Sequence, residues 1–306
     1  MLAVDCPDLI LFTQHGMTDD NQMLARLAHN LADSFTPAKA LVVAPSLGYL
    51  NTIFLQIDSL IETVDQTATA TIAQHPKTPI HIVATSLGGI VWIEVLHRHP
   101  EWWARVQTFI LLGSPVGGAH LAKIADPFGW GIGIAKDLGM NRRVLAEKIA
   151  KVIPTLIIAG DIDNGSDGTV TIESTKFKHA YFVFLDGVSH PALKNHPAVA
   201  SAIQAFWAKP RQPLPDTQEG CFTDLLIQSL RKVPGMTDAH PCDFAKAGLW
   251  FTFKDGTSLR TWKNPVGVDH VFIANPQGQC IYGGYVGWIH CQGLADTLAT
   301  MRRELA

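Results

Sequence analysis

Six short runs of almost uninterrupted apolar residues recur between positions 9 and 185: Leu9–Phe12, Leu41–Ala44, Ile80–Ala84, Thr108–Leu112, Thr155–Ala159 and Tyr181–Leu185. A strand with one wet face alternates apolar and polar side chains, whereas a strand covered on both faces has no need to. The runs therefore predict a parallel sheet with helices on both sides, and the intervening segments supply those helices. Leu24, Leu27 and Leu31, then Ile53, Ile57, Leu60, Ile61 and Val64, recur at helical spacing. Ile90–Leu96 is apolar nearly all round except for Glu94, which predicts a helix buried in the middle of the unit.

The rhythm changes after residue 209. The segment KPRQPLPDTQEG carries Pro210, Pro213 and Pro215, which neither continue a helix nor fill a central strand, so residues 210–220 are expected to be a linker. Beyond it, a helix at Phe222–Val233 precedes strand-like runs at Leu249–Lys254, Ser258–Lys263, Val268–Ala274 and Cys280–Val286. Turns at Asp255-Gly256 and Pro276–Gly278 separate them, and a helix at Leu294–Leu305 closes the chain. Asp-Gly between such runs is a strong hairpin signal, so 221–306 is expected to be a small α+β domain built on an antiparallel meander, of unassigned role.

Lys plus Arg number 24 against 27 for Asp plus Glu, and no basic block stands out. Nucleic acid, which is held through phosphate neutralisation, is therefore not an expected partner. Trp250, Phe251, Phe253 and Trp262 accordingly read as core packing rather than a base-stacking platform. No apolar run reaches the roughly 18–20 residues of a membrane span. The opening MLAVDCPDLILF lacks a basic segment and cleavage site, and the five cysteines form no Cys-x-x-Cys pair. A cytoplasmic location is the resulting expectation.

The run IHIVATSLGGIVWIEVL places Ser86 between a strand and the buried helix. A sharp strand-to-helix turn needs small residues on either side of its apex, here Ala84, Gly88 and Gly89, and it projects the apical hydroxyl off the sheet above a helix N-terminus. Ser86 is thus a candidate nucleophile; the plainer alternative is a glycine-rich helix start that Ser86 merely caps. A serine needs a base held in one tautomer. His190, in FLDGVSHPAL after the last predicted strand, lies on the same sheet edge, with His196 as the second choice. The acid should follow Thr155–Ala159, where Asp167 in Asp-Gly-Thr-Val is preferred over Asp163; a Ca²⁺ loop there would lack its terminal bidentate Glu. Backbone N–H groups of Leu87 and Met17 are assigned to an oxyanion hole. Gly16 allows close approach, and His15 reads as a loop brace rather than a base.

In this order, His15-Gly16, Ala84-x-Ser86-x-Gly88-Gly89, Leu112-Gly113-Ser114-Pro115, Asp167-Gly-x-Val170 and Gly187-x-x-His190-x-x-Leu193 make residues 8–207 resemble the α/β-hydrolase superfamily, and within it the small bacterial lipases and lipase-like serine hydrolases. The resemblance implies an α/β-hydrolase catalytic domain over residues 1–209 and an acyl-enzyme ester hydrolase whose triad runs Ser86, Asp167, His190. The family's two leading antiparallel strands have no room before Asp8. A reduced, about six-stranded, mostly parallel sheet follows from that. Thr85 stands where many relatives carry His, and Ala84 where several carry Gly.

Residues 114–152, rich in Gly, Trp and Ile, are expected to form a cap or lid, the alternative being a surface helix pair with a loose loop. Substrate contacts are assigned to Trp130, His15 and Gly16. Cys242, Cys280 and Cys291 with His240 and His290 fit no recognised zinc spacing, so neither a metal nor a cofactor is expected. The function expected is a serine esterase or lipase acting on acyl-lipid esters or thioesters. The alternatives are an acyltransferase using the same triad, or a non-catalytic scaffold on a hydrolase fold.

Overall fold

A computed structural model describes residues 6–17, 22–34, 38–47, 57–118, 140–209, 212–215 and 221–305. All six apolar runs are strands: β1 (Leu9–Gln14), β2 (Ala40–Val43), β3 (Ile80–Thr85), β4 (Val106–Leu112), β5 (Thr155–Asp161) and β6 (Tyr181–Asp186). They form one sheet in the order β2-β1-β3-β4-β5-β6. Every pairing in it is parallel, so the sheet is more uniform than the expected mostly parallel one.

The two-residue period of a strand sends alternate side chains to opposite faces, and both faces are covered. From β1, Ile10 and Phe12 join one core with α2 (Ile57–Gln74), α3 (Leu87–Arg98) and α4 (Arg143–Ala150). Leu9 and Leu11 join the other, with α1 (Gln22–Asp33) and α6 (Pro197–Trp207), a short helix α5 (Ile172–Thr175) lying between α4 and α6 in sequence. Helix α3 is the buried helix anticipated from its composition: Ile90 through Ile93, Val95 and Leu96 are all inaccessible, and Trp92 packs on Phe12 with ring centroids 5.0 Å apart. Each such side chain contributes about 1.5–3 kcal/mol of transfer free energy, which makes α3 the pin of the unit.

Strand β6 departs from expectation. Phe182 and Phe184 are 38% and 48% exposed, because β6 is an edge strand packed on one face, where Tyr181, Val183 and Leu185 meet the α6 core. An apolar run alone does not distinguish this from a strand covered on both sides.

The second sheet has five strands, β7 (Thr237–Asp238), β8 (Gly248–Thr252), β9 (Ser258–Lys263), β10 (Asp269–Ala274) and β11 (Cys280–Val286), in the order β7-β11-β10-β9-β8. The four expected runs form the antiparallel meander, and α7 (Phe222–Arg231) and α8 (Cys291–Leu305) cover one face through Leu226, Leu230, Leu294, Leu298 and Met301. Strand β7 and the 3-10 helix Pro241–Lys246 were not anticipated, since so short a strand has no periodicity to read. No helix of the described residues is long and apolar enough to cross a membrane.

Candidate active site

The order of strands decides where a site can form. From β1 the chain moves outward to β2, then returns to the other side of β1 as β3, so the loops leaving the carboxyl ends of β1 and β3 diverge and open a crevice. Gly16 follows β1 and Ser86 follows β3, and they meet there: a Cβ on Gly16 would stand 2.8 Å from Ser86 Cβ and 3.3 Å from its Oγ. Gly88 is held as closely, since a Cβ on it would lie 2.5 Å from the Gln14 carbonyl oxygen and 2.7 Å from that of His15. Any side chain at 88 would drive the Ser86 turn off β1.

Ser86 has φ 53° and ψ −125°, a left-handed conformation that costs a non-glycine residue about 1–3 kcal/mol. The turn is held by the Ser86 N–H, which donates to the Leu112 carbonyl at 2.9 Å, and by burial, the residue being 6% exposed. The side chain makes no capping bond to α3, so Ser86 does not do what a helix-capping serine does. Leu87 opens α3, and its N–H therefore has no acceptor within the helix.

Two strands further along the sheet, Asp167 Oδ2 and His190 Nδ1 are 2.6 Å apart. Asp167 is 2% exposed, and its other oxygen accepts from the N–H groups of Thr169 at 3.0 Å and Val170 at 2.7 Å. Fixed in this way, the carboxylate accepts the Nδ1 proton and leaves Nε2 as the basic nitrogen. Between this pair and Ser86 lies Gly113, at the end of β4 with φ 55°. A Cβ there would come 3.0 Å from both Asp167 Oδ2 and His190 Nδ1, so this glycine makes room for the ion-pairing partners. Sequence reasoning gave Gly113 no role; its position between Leu112, which holds Ser86, and the imidazole was the signal available.

Six parallel strands in the order β2-β1-β3-β4-β5-β6, with helices on both faces and a separate five-stranded antiparallel sheet, give the architecture. This is a reduced α/β-hydrolase fold with a small C-terminal α+β unit.

Solved structures similar to this chain include a Listeria innocua gene product at 14% identity and a TM-score of 0.49, covering 69% of this chain and 96% of that one. Mature Bacillus licheniformis lipase BlEst2 is 15% identical with a TM-score of 0.47, covering 65% and 92%. Est1E from Butyrivibrio proteoclasticus, with bound ferulic acid, is 15% identical with a TM-score of 0.47, covering 67% and 89%. No family model matches the sequence, and neither does any curated protein. The fold assignment rests on strand order and connections, not on these distant likenesses.

The remaining candidates are placed as follows. His15 is 1% exposed; its Nε2 accepts the Leu47 N–H at 2.9 Å while Nδ1 lies 2.9 Å from the Gly16 carbonyl. These bonds from both ring nitrogens to the protein's own backbone brace the β1 loop. Met17 follows Gly16 and is partly buried against the α3 core. His196 caps α6 by accepting the Ala198 N–H, and Asp163 pairs with His240 at 3.1 Å, so neither joins His190 or Ser86. Trp130 and most of the expected cap, residues 119–139, lie outside the described residues. No three His, Cys, Asp or Glu side chains among the described residues converge as a metal site, and no disulfide joins the cysteines among the described residues.

Proposed function

We propose that the protein is a serine hydrolase of carboxylic esters, with Ser86 as nucleophile, His190 as general base and Asp167 as the acid that orients it. The observation that carries this reading is the Asp167–His190 hydrogen bond at the strand ends, on the edge where Ser86 stands strained and uncapped. His190 Nε2 takes the hydroxyl proton as Ser86 Oγ attacks the acyl carbon. The Leu87 and Met17 N–H groups receive the oxyanion, and the proton passes to the departing alcohol. Water then attacks the Ser86 ester, giving its proton to His190; collapse expels Ser86 Oγ, which takes the proton back, and frees the acid. Asp167 holds Nδ1–H throughout and stabilises the imidazolium.

The substrate class is acyl esters, including acyl lipids and thioesters, since all present the same carbonyl to Ser86. Residues 1–209 are read as the catalytic domain, 210–220 as the linker and 221–306 as the second domain. A fluorophosphonate probe is expected to label the native protein and not the Ser86→Ala variant, and Asp167→Asn should lower p-nitrophenyl ester turnover by about 10³–10⁴-fold. Labelling that survives Ser86→Ala would defeat the assignment. A folded, unlabelled native protein without ester turnover would favour the scaffold reading.

A further inference from the structure

The C-terminal unit has no role in the chemistry above, yet its polar contacts converge on one segment of the other unit. The His240 ring, at the start of the 3-10 helix that follows β7, accepts the Cys242 N–H at Nδ1, 2.9 Å away. That fixes the proton on Nε2, which donates to Asp163 Oδ1 at 3.1 Å. Asp163 in turn accepts from the N–H and the hydroxyl of Ser166, both at 2.8 Å, and Ser166 Oγ accepts the Gly168 N–H at 3.0 Å. Asp167 therefore sits between the two residues that this chain of bonds restrains. Contact is tight as well: a Cβ on Gly165 would lie 2.8 Å from Pro241 Cδ and 3.0 Å from His240 Nε2.

The far end of the same segment is held by the same unit. Arg231 donates to Glu173 Oε2 at 3.2 Å, and Asp238 pairs with Arg143, which itself donates to the Glu173 carbonyl at 2.7 Å. Burial would raise the Asp163 carboxyl, but the hydrogen bonds from Ser166 and His240 outweigh it and hold the group below its usual value. Asp163 is thus an acceptor at neutral pH.

We propose that His240 is a positioning residue for the Asp167–His190 pair, acting through Asp163 and Ser166 to fix the loop that presents the Asp167 carboxylate. The C-terminal sheet is then a buttress of the catalytic acid. The catalytic consequence rests on the hydrolase reading, but the geometric one does not.

The test uses the full chain and the variants His240→Ala, His240→Gln and Asp163→Ala. Two readouts are taken: the low-field proton resonance of the His190 Nδ1–H bond, and the rate of fluorophosphonate labelling at Ser86. In His240→Ala the resonance should shift or broaden, and labelling should slow by about 10- to 100-fold, the scale of a small misplacement of reacting groups. His240→Gln, whose amide N–H can still donate to Asp163, should restore most of both. Asp163→Ala breaks the same chain from the other side without touching the C-terminal core, so it should match His240→Ala and decides the matter if that variant does not fold. A lowered melting temperature with unchanged resonance and labelling in Asp163→Ala or His240→Ala would overturn the proposal. Should native protein fail to label while the resonance still responds, the hydrolase reading falls and the buttress stands.

Discussion

Asp238 is a fully buried charge at the junction of the two units, and replacing it with Asn isolates what that junction is worth. Its carboxylate is inaccessible and receives Arg143, Arg231 through Nε and Nη2 at 3.3 Å each, and the Tyr282 hydroxyl at 2.9 Å. Asparagine keeps the shape and the Tyr282 bond but turns an amide N–H towards guanidinium donors, leaving Glu173 to balance two arginines. Removing one partner of a buried ion pair costs about 3–5 kcal/mol, because the other charge stays desolvated. For a chain of this size that should lower the melting temperature by on the order of 10 °C. Arg143→Met added to Asp238→Asn should recover part of the loss, since it removes the stranded cation, giving a coupling of about 1–3 kcal/mol in the double-mutant cycle. Burial would raise the Asp238 carboxyl, yet the charges of Arg143 and Arg231 and the bonds from Tyr282 and Arg231 outweigh it and hold it below its ordinary value. A depressed folded value means that the stabilisation is fully present above the unfolded carboxylate value, near 3.9, and lost as pH falls below it. The gap between wild type and variant, measured by thermal melting or urea denaturation, should therefore close on acidification below about pH 4. An Asp238→Asn protein melting with wild type at pH 7 would refute the reasoning.

Gly113→Ala places a methyl group 3.0 Å from Asp167 Oδ2 and His190 Nδ1 at a position with φ 55°. The left-handed backbone should cost about 1–2 kcal/mol, and ester turnover should fall well beyond that loss because the imidazole must move; wild-type turnover would contradict the placement. Burial holds the His81 ring down to about 4. The unfolded chain therefore takes up a proton first as pH drops from about 6.5, and stability declines until the folded ring titrates, by about 3 kcal/mol in all. His81→Gln should remove that share of the acid slope in urea titrations between pH 7 and 4.5, and parallel curves for the two proteins would count against it.

The parallel sheet was legible because its cause is local. Burial on both faces demands continuous apolar runs, and Ile82, Val83, Ile110 and Leu111 show them. Helix α3 was legible for the same reason, since Glu94, which meets Arg142 at 2.6 Å, is the one polar side chain within Ile90–Leu96. The junction was not. Arg143 and Asp238 are 95 positions apart, and each reads locally as an ordinary surface charge. Strand β7, which delivers Asp238, pairs through Thr237 and Asp238 with Tyr285 and Gly284, too few residues for any pattern to emerge.

The acid loop shows why sequence spacing reached two aspartates and preferred Asp167 on turn chemistry alone, with no contact to set it apart. Asp163 and Asp167 are four residues apart in a loop where each suits a turn, and each ends beside a histidine: Asp163 by His240 at 3.1 Å, Asp167 by His190 at 2.6 Å. What distinguishes them is which end of the chain supplies the partner. His190 comes from the next strand of the same sheet, so its ring is carried to the edge that holds Ser86; His240 comes from the second sheet and approaches the loop beside Gly165. Asp167 is also the one buried and gripped by the Thr169 and Val170 N–H groups, whereas the Asp163 side chain is 44% exposed. A carboxylate that must stabilise a transient imidazolium needs the drier and more rigid setting, where its charge is least screened. In the hydrolase reading proposed above, the Asp167–His190 pair is therefore the one suited to proton transfer and the Asp163–His240 pair the one suited to holding the loop.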